Sequence, residues 1–188
     1  MHRLPLNTNF VPFPVLRTTR LLLRQITEKD VAEIFFLRSD NVVLRYLDKS
    51  PSPSPGETLE WIRRINDSEK KGESITWGIA FGEDVLIGTI CFWKLAKEHY
   101  RAEIGYALYP AMQGKGIMQE ALTEVLNYGF KVMGLHSVEA NVNPNNSSSI
   151  KLLERNGFVK EAHYKENYYF NGAFLDSAIY SLLNPADF

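Results

Sequence analysis

Cysteine is almost absent from this 188-residue chain, whose one thiol, Cys91, stands inside an apolar run. A disulfide framework is therefore excluded, and a reducing compartment fits. The chain also lacks a surplus of either charge, because 21 lysines and arginines stand against 22 aspartates and glutamates, a formal net charge of −1. No strong field draws it to nucleic acid or to an anionic membrane.

Long apolar runs are missing as well. No stretch approaches the ~18 residues that a membrane-spanning helix needs. The start, MHRLPLNTNFVPFPV, carries three prolines and no continuous apolar core, unlike a signal peptide. His99, His136 and His163 are isolated and share no metal-binding spacing. We expect a cytoplasmic protein that uses no metal and binds neither nucleic acid nor membrane.

Hydrophobic residues make up 45% of the chain and charged residues 23%, which is typical of one globular domain. We expect residues 1–188 to form that domain, with residues 1–15 as an N-terminal extension. The segment DKSPSPSPGE, residues 48–57, alternates serine with proline and predicts a stiff surface loop, with a docking motif as the alternative.

Apolar periodicity predicts both strands and helices. Strands are expected at residues 20–26, 75–81, 85–95, 101–109, 137–143, 158–170 and 173–183. Helices are expected at residues 27–38, 57–71, 114–133 and 146–156. Thr27 is predicted to cap the first helix, with Asp30 completing a capping-box-like pair.

The segment 101–143 is a strand–helix–strand crossover, so its two strands should be parallel. Antiparallel pairs are expected around this crossover: the strands at 75–81 and 85–95 form one hairpin, and those at 158–170 and 173–183 form another at the dipeptide NG, residues 171–172. We predict an α/β fold: a single domain with a mixed, mostly antiparallel sheet of six to seven strands, a central parallel pair, and helices on both faces.

The helix at 114–133 begins with an unusual QGKG. Gly114 and Gly116 have no Cβ, and a helix start carries unpaired N–H groups with partial positive charge, which suits a phosphate or diphosphate. A Walker A loop would need an earlier glycine and a hydroxyl in place of Ile117, and the dinucleotide fingerprint would need a third glycine. A glycine-rich helix start without a ligand is the alternative.

Three motifs in order carry a family resemblance. QGKGIM resembles the acetyl-CoA diphosphate loop of the GNAT acetyltransferase superfamily, with Gln113 and Gly116 matching and Met118 replacing a small residue. NNSSSIKLLERNGF, residues 145–158, resembles the segment in which an Asn opens a short helix that ends in Gly-Phe. AEIGYAL, residues 102–108, resembles the strand before the loop. With LRTTRLLLR and WGIAF, the chain looks most like the ribosomal-protein N-terminal acetyltransferases.

The resemblance implies that acetyl-CoA lies in a V-shaped opening between the strands at 101–109 and 137–143. The pantetheine arm then pairs with strand backbone, and the diphosphate meets the amides of residues 115–118. Asn146 is implied to hold the pantetheine or thioester end through its side chain. The residues implied to bind the cofactor are Ala107, Leu108, Tyr109, Gln113, Gly114, Lys115, Gly116, Ile117, Met118, Asn141, Asn146 and Ser149.

The implied reaction is direct acyl transfer in a ternary complex, in which a protonated amine must first lose a proton. Glu103 is the predicted base, and the alternative is that it pairs with a cation and only shapes the site. Leu108 N–H is the implied oxyanion donor. Leu153 occupies the place of the tyrosine acid of many GNAT enzymes. Ser149 is the candidate donor to the sulfur, with helix capping or backbone bonding as its alternative.

We therefore predict an acetyl-CoA-dependent N-acetyltransferase acting on a protein N-terminus, as on ribosomal proteins, and we leave a homodimer open. The acceptor groove should be walled by the two N-terminal helices, the Pro/Ser loop and the last hairpin. The alternatives are a polyamine or antibiotic acetyltransferase, a nucleotide phosphate-binding protein, and a non-catalytic acyl-CoA-binding regulatory module. The last of these is supported by Leu153 and Asn141.

Overall fold

A computed structural model describes residues 4–82 and 84–187 of the chain. The strands are β1 (Leu16–Arg17), β2 (Leu21–Gln25), β3 (Ile75–Phe81), β4 (Val85–Ala96), β5 (Arg101–Leu108), β6 (Ser137–Val142), β7 (Val159–Phe170) and β8 (Ala173–Leu183). The helices are α1 (Val31–Ser39), α2 (Asn41–Leu44), α3 (Pro55–Lys70), α4 (Ile117–Tyr128), extended by a π turn at Gly129–Met133, and α5 (Ser147–Arg155).

The eight strands form one sheet in the order β1-β2-β3-β4-β5-β6-β8-β7. Only β5 and β6 pair in parallel among the described strands, and every other neighbour is antiparallel. The predicted mixed sheet with a central parallel pair is confirmed. The eighth strand is β1, whose two residues are too few for a periodic pattern.

Helices cover both faces of the sheet, as predicted. On β3, Ile79 belongs to the core cluster that includes α4, whereas its neighbour Ala80 belongs to the cluster formed with α1 and α3. Successive side chains of a strand point to opposite faces, so the two clusters lie on opposite sides. Each of the helices in the described residues is too short or too polar to span a bilayer.

Side-chain hydrogen bonds cap the starts of the first helical segments. The Asp30 carboxylate accepts hydrogen bonds from the amide of Thr27 (2.7 Å) and from its hydroxyl (3.0 Å), so the predicted capping pair is present. It closes a short 3₁₀ turn, and α1 starts one residue later. The Ser54 side chain caps α3, with Pro55 in its first turn. The sequence patterns did not predict α2, which has four residues.

The segment before the sheet also contributes to the core. Phe10 is 2% exposed, and the amide of Asn7 donates to the carbonyl of Met133 (2.8 Å). Residues 1–3 of the predicted N-terminal extension lie outside the described residues.

Candidate active site

The parallel strands β5 and β6 pair at only three positions, Arg101–Ser137, Ala102–Val138 and Glu103–Glu139. Both strands continue beyond these pairs, to Leu108 and Val142. Residues 104–108 and 140–142 therefore have no ladder between them, and the sheet opens in a V at its centre. Backbone groups on the inner edges of the two strands face this opening rather than each other.

A cavity of about 550 Å³ lies at this opening. Its walls come from the end of β5, from α5, from the loop before α4 with the first turn of that helix, and from the residues in and after α2. The predicted cofactor-binding residues that line it are Ala107, Leu108, Gln113, Gly114, Gly116, Ile117, Met118, Asn146 and Ser149. Tyr109, Lys115 and Asn141 of the predicted set do not line it, and neither does Glu103.

The start of α4 is bare, as its glycines predicted. Gly116 is the N-cap residue at φ 72°, no side chain caps the helix, and the first bond runs from the amide of Glu120 to the carbonyl of Gly116 (3.1 Å). A Cβ on Gly114 would meet nothing within 4 Å, and one on Gly116 would meet only a guanidinium nitrogen of Arg20 at 3.6 Å. The first-turn amides of α4 are thus accessible to an anion.

Arg20, which sequence reasoning missed, lies just before β2 and anchors this loop. Its Nη1 donates to the carbonyl of Lys115 (3.1 Å), and its Nε donates to the Glu120 carboxylate (2.6 Å). Partial desolvation would raise the pKa of Glu120, but hydrogen bonds from Thr18 and Arg20 outweigh it and hold that pKa below its ordinary value. These contacts join residues about a hundred positions apart, so no local pattern in the sequence indicates them.

The backbone of β5 shows which predicted pantetheine contacts are available. The amide of Tyr109 already donates to the carbonyl of Ile87 (2.8 Å) on β4, and the carbonyl of Tyr109 accepts from Met112 (2.9 Å). The predicted backbone pairing at Tyr109 is thus corrected, because its N–H is taken. Leu108 points its backbone groups to the other edge, where the side-chain amide of Gln113 donates to its carbonyl (3.3 Å).

Two hydroxyls meet inside the cavity. The Oδ1 of Asn146 accepts from the amide of Ser149 (3.1 Å) and caps α5, which leaves Nδ2 of Asn146 as a donor. The hydroxyl of Ser149 does not cap the helix; it lies 2.7 Å from the hydroxyl of Tyr106. Burial raises the pKa of Tyr106 to about 12, although the bond to Ser149 lowers it, so Tyr106 stays protonated near neutral pH. Sequence reasoning missed Tyr106.

Leu153, in the place of the family's tyrosine acid, is fully buried in the core. The role of an acid at that position is therefore absent here, as the sequence indicated. Asn141 is exposed on the face of β6 opposite to the buried Ala140 and Val142. This alternation explains why Asn141 does not reach the cavity.

Glu103 is 8% exposed and lies on the sheet face opposite to α4. Its carboxylate accepts a hydrogen bond from Lys94 Nζ at 2.8 Å. Lys94 sits at φ 46°, beside a register shift between Trp93 and Ala96, which breaks the strand alternation and lets its side chain reach Glu103. The ammonium also lies 4.3 Å from the centroid of the Trp93 ring. The alternative interpretation of Glu103 requires a cation beside it, and Lys94 is that cation. The role of Glu103 as a base stays a prediction.

The remaining cavity walls were not predicted from the sequence. One wall is formed by Val42, Val43, Arg45, Tyr46 and Leu47, and the opposite wall includes Lys151, Leu152 and Arg155 of α5. The described residues hold no group of three His, Cys, Asp or Glu side chains arranged for a metal ion.

Known proteins resemble this chain in sequence and in fold. A family model described as the acetyltransferase (GNAT) domain matches residues 20–159, which include the parted strands and the bare start of α4. The chain belongs to the GNAT acetyltransferase family. This GNAT chain is 37% identical over 176 residues to the uncharacterized N-acetyltransferase YoaA of Bacillus subtilis, a match that covers 93% of this chain and 99% of the relative.

Two further similarities concern proteins with named acceptors. The chain is 30% identical over 184 residues to the [ribosomal protein uS5]-alanine N-acetyltransferase of Escherichia coli, covering 93% of each. The crystal structure of spermidine N-acetyltransferase from Vibrio cholerae in complex with CoA and spermine superposes with a TM-score of 0.80 at 25% identity, covering 89% of this chain and 97% of that chain. This GNAT chain is therefore an acetyl-CoA-dependent N-acetyltransferase.

Proposed function

We propose that this N-acetyltransferase transfers an acetyl group to the α-amino group of a protein N-terminus, by direct attack in a ternary complex. The observation that carries the proposal is the central V of the sheet, which leads from the bare start of α4 to the hydroxyls of Tyr106 and Ser149. The 30% identity to the uS5-alanine N-acetyltransferase over 93% of both chains supports the choice of acceptor.

The cavity residues suit a diphosphate at one end and a thioester at the other. The amides of residues 115–118 surround the bare helix start, and the partial charge there favours an anion. Lys151 and Arg155 line the same cavity and add positive charge. The Nδ2 of Asn146 and the inner-edge backbone of Leu108 hold the pantetheine arm. Acetyl-CoA, when bound, supplies the activated acyl carbon.

Proton transfer from the acceptor amine is assigned to Glu103. An α-amino group has a pKa near ~8 and is mostly protonated at neutral pH, so a base is needed. Lys94 holds the carboxylate in one orientation through the 2.8 Å contact. Because Glu103 does not line the cavity, the proton passes through water. The N–H of Leu108 stabilises the charge that develops on the acyl oxygen.

Stabilisation of the leaving sulfur of CoA is assigned to Ser149. Its hydroxyl donates a hydrogen bond to the sulfur while accepting one from the hydroxyl of Tyr106, which lies 2.7 Å away. Tyr106 therefore acts as a positioning residue. A thiol has an ordinary pKa of ~8.5, so a thiolate leaves tolerably well with a hydrogen bond in place of a full proton donor.

The test is the release of CoA thiol in the presence of peptides, spermidine and an aminoglycoside, with mass spectrometry to locate the acetyl group. We expect acetylation of peptide α-amines. Transfer to spermidine or the aminoglycoside alone would contradict the choice of acceptor. Binding of acetyl-CoA without transfer to any amine in the panel would favour a regulatory module instead.

A further inference from the structure

A second cavity, of about 350 Å³, lies beside the first. It is bounded by α2, by the loop that follows it, and by the turn between β7 and β8. Its lining residues are Asn41, Leu44, Arg45, Lys49, Ser50, Pro51, Phe170 and Asn171. The Pro/Ser loop and the last hairpin are two of the walls that the sequence predicted for the acceptor groove, whereas α2 was not predicted.

The charged side chains of this second cavity are both cations. Within residues 4–82 and 84–187, neither Arg45 nor Lys49 lies within 4.0 Å of a carboxylate. The carboxylate of the neighbouring Asp48 accepts a hydrogen bond from the hydroxyl of Tyr168, and Asp48 does not line this cavity. Two unpaired cations in a concave surface favour an anion.

Each cation lies near the face of an aromatic ring. The guanidinium of Arg45 lies 5.1 Å from the centroid of Tyr46, and the ammonium of Lys49 lies 5.8 Å from that of Trp93. Trp93 pairs with Glu103 across β4 and β5, so Lys49 lies close to the proposed base. The carboxylate of Glu103 is itself paired with Lys94.

Arg45 lines both cavities. The two cavities therefore adjoin at this side chain, which is the place where an acceptor with its amine in the first cavity would enter the second. An extended peptide advances about 3.3–3.6 Å per residue, so the second to fourth residues of the acceptor are the positions to test for contact with the second cavity. A polyamine would place its own positive charges there, next to two unpaired cations, which is unfavourable.

We propose that the second cavity binds a carboxylate of the acceptor through Arg45 and Lys49, so that the enzyme prefers peptides with an acidic side chain close to the N-terminal amine. This inference rests on the proposed function, since it takes the acceptor to be a peptide. It assigns Arg45 and Lys49 to acceptor selection and not to acetyl-CoA.

The test compares pairs of peptides that differ only by Glu or Gln at the second, the third or the fourth position, with spermidine as a cationic small acceptor. We expect kcat/KM for the Glu peptides to exceed that for the Gln peptides by about tenfold at one position or more, mostly through KM, and to decline as salt shortens the Debye length. Equal kcat/KM for every pair would overturn the proposal.

The double variant R45Q/K49Q should abolish the preference for Glu, while K131Q/K160Q, which removes two exposed lysines outside both cavities, should keep it. An effect of R45Q/K49Q on the KM for acetyl-CoA, with the preference intact, would place these cations in the cofactor site and overturn the proposal.

Calorimetry with CoA present separates this inference from the proposed function. Suppose that no peptide is acetylated, but that Glu peptides still bind about tenfold more tightly than Gln peptides and that R45Q/K49Q removes this difference. The proposed function would then be refuted, and the carboxylate site would stand. Equal affinities would refute the carboxylate site whatever the activity. A free amino acid with an acidic side chain, included in the same titration, distinguishes a small carboxylate from a peptide as its source.

Discussion

The hydroxyl of Tyr106 on β5 lies 2.7 Å from the hydroxyl of Ser149 in the first turn of α5. This contact joins two walls of the first cavity and lies near the place where a leaving sulfur is expected. Leu153, in the place of the family's tyrosine acid, is buried in the core. The hydroxyls of Tyr106 and Ser149 can donate a hydrogen bond on the α5 side of the cavity.

The first prediction concerns this pair. Tyr106→Phe removes a hydrogen bond worth about 0.5–1.5 kcal/mol, so kcat should fall about two- to tenfold with little change in the KM for acetyl-CoA. Ser149→Ala should lower kcat at least as much. In the Ser149→Ala background, Tyr106→Phe should have no further effect on kcat; additive losses would mean that Tyr106 does not act through Ser149.

The second prediction separates a base from an ion pair at Glu103. Glu103→Gln should lower turnover by about a hundredfold or more, the range of general-base catalysis, most at low pH where more of the amine is protonated. Affinity for CoA should stay nearly unchanged. Lys94→Gln breaks the same 2.8 Å contact but keeps the carboxylate, so a much smaller loss is expected. Equal losses in the two variants would indicate a structural ion pair.

The third prediction concerns the glycines at positive φ. Gly116 (φ 72°) and Gly134 (φ 80°) have similar backbones, and valine at either is strained by about 1–2 kcal/mol or more. Both variants should lose thermal stability. Only Gly116→Val should weaken CoA binding, by about tenfold or more, or ~1.4 kcal/mol, because its side chain stands where the diphosphate approaches. If CoA raises the Tm of Gly116→Val as much as that of Gly134→Val, the site lies elsewhere.

The fourth prediction concerns stability and pH. Burial raises the pKa of Glu69 from its ordinary 4.5 to about 7, although bonds from Gln25 and Thr76 favour the ionised form. The folded state therefore prefers protonated Glu69, and this stabilisation is complete below pH 4.5 and lost as the pH rises through about 7. Glu69→Gln, which stays neutral, should gain stability relative to the parent as the pH rises.

The measurement is the difference in Tm between Glu69→Gln and the parent from about pH 5 to about pH 8. Gln25 can rotate its amide to accept from the new side chain, so the local hydrogen bonds are kept. Glu73→Gln, at an exposed position, is the matched control and should give a constant difference. A Glu69→Gln difference that did not increase with pH would contradict the raised pKa.

Local patterns predicted most of the fold. The alternation of β3 to β6, the bare start of α4 and the Asn146 cap of α5 are each encoded within a few residues, and they place most of the predicted cofactor set around one cavity. The crossover rule predicted the parallel pair correctly, because it depends only on the order of strand, helix and strand.

Features that depend on distant contacts were not predictable in this way. Arg20 reaches Lys115 and Glu120, and Tyr106 reaches Ser149, across long separations in sequence. The four residues of α2 are too few for a helical period, so a whole wall of the cavity was missed. Tyr109 was predicted as a backbone partner of pantetheine, but the edge to which its amide points depends on pairing with β4.

The most direct test is a crystal structure with CoA bound. The diphosphate oxygens should lie about 3 Å from the amides of residues 115–118, with the pantetheine arm between β5 and β6 and the sulfur next to the hydroxyl of Ser149. A diphosphate bound away from the start of α4, or strands β5 and β6 paired along their full length with no space between them, would contradict the account.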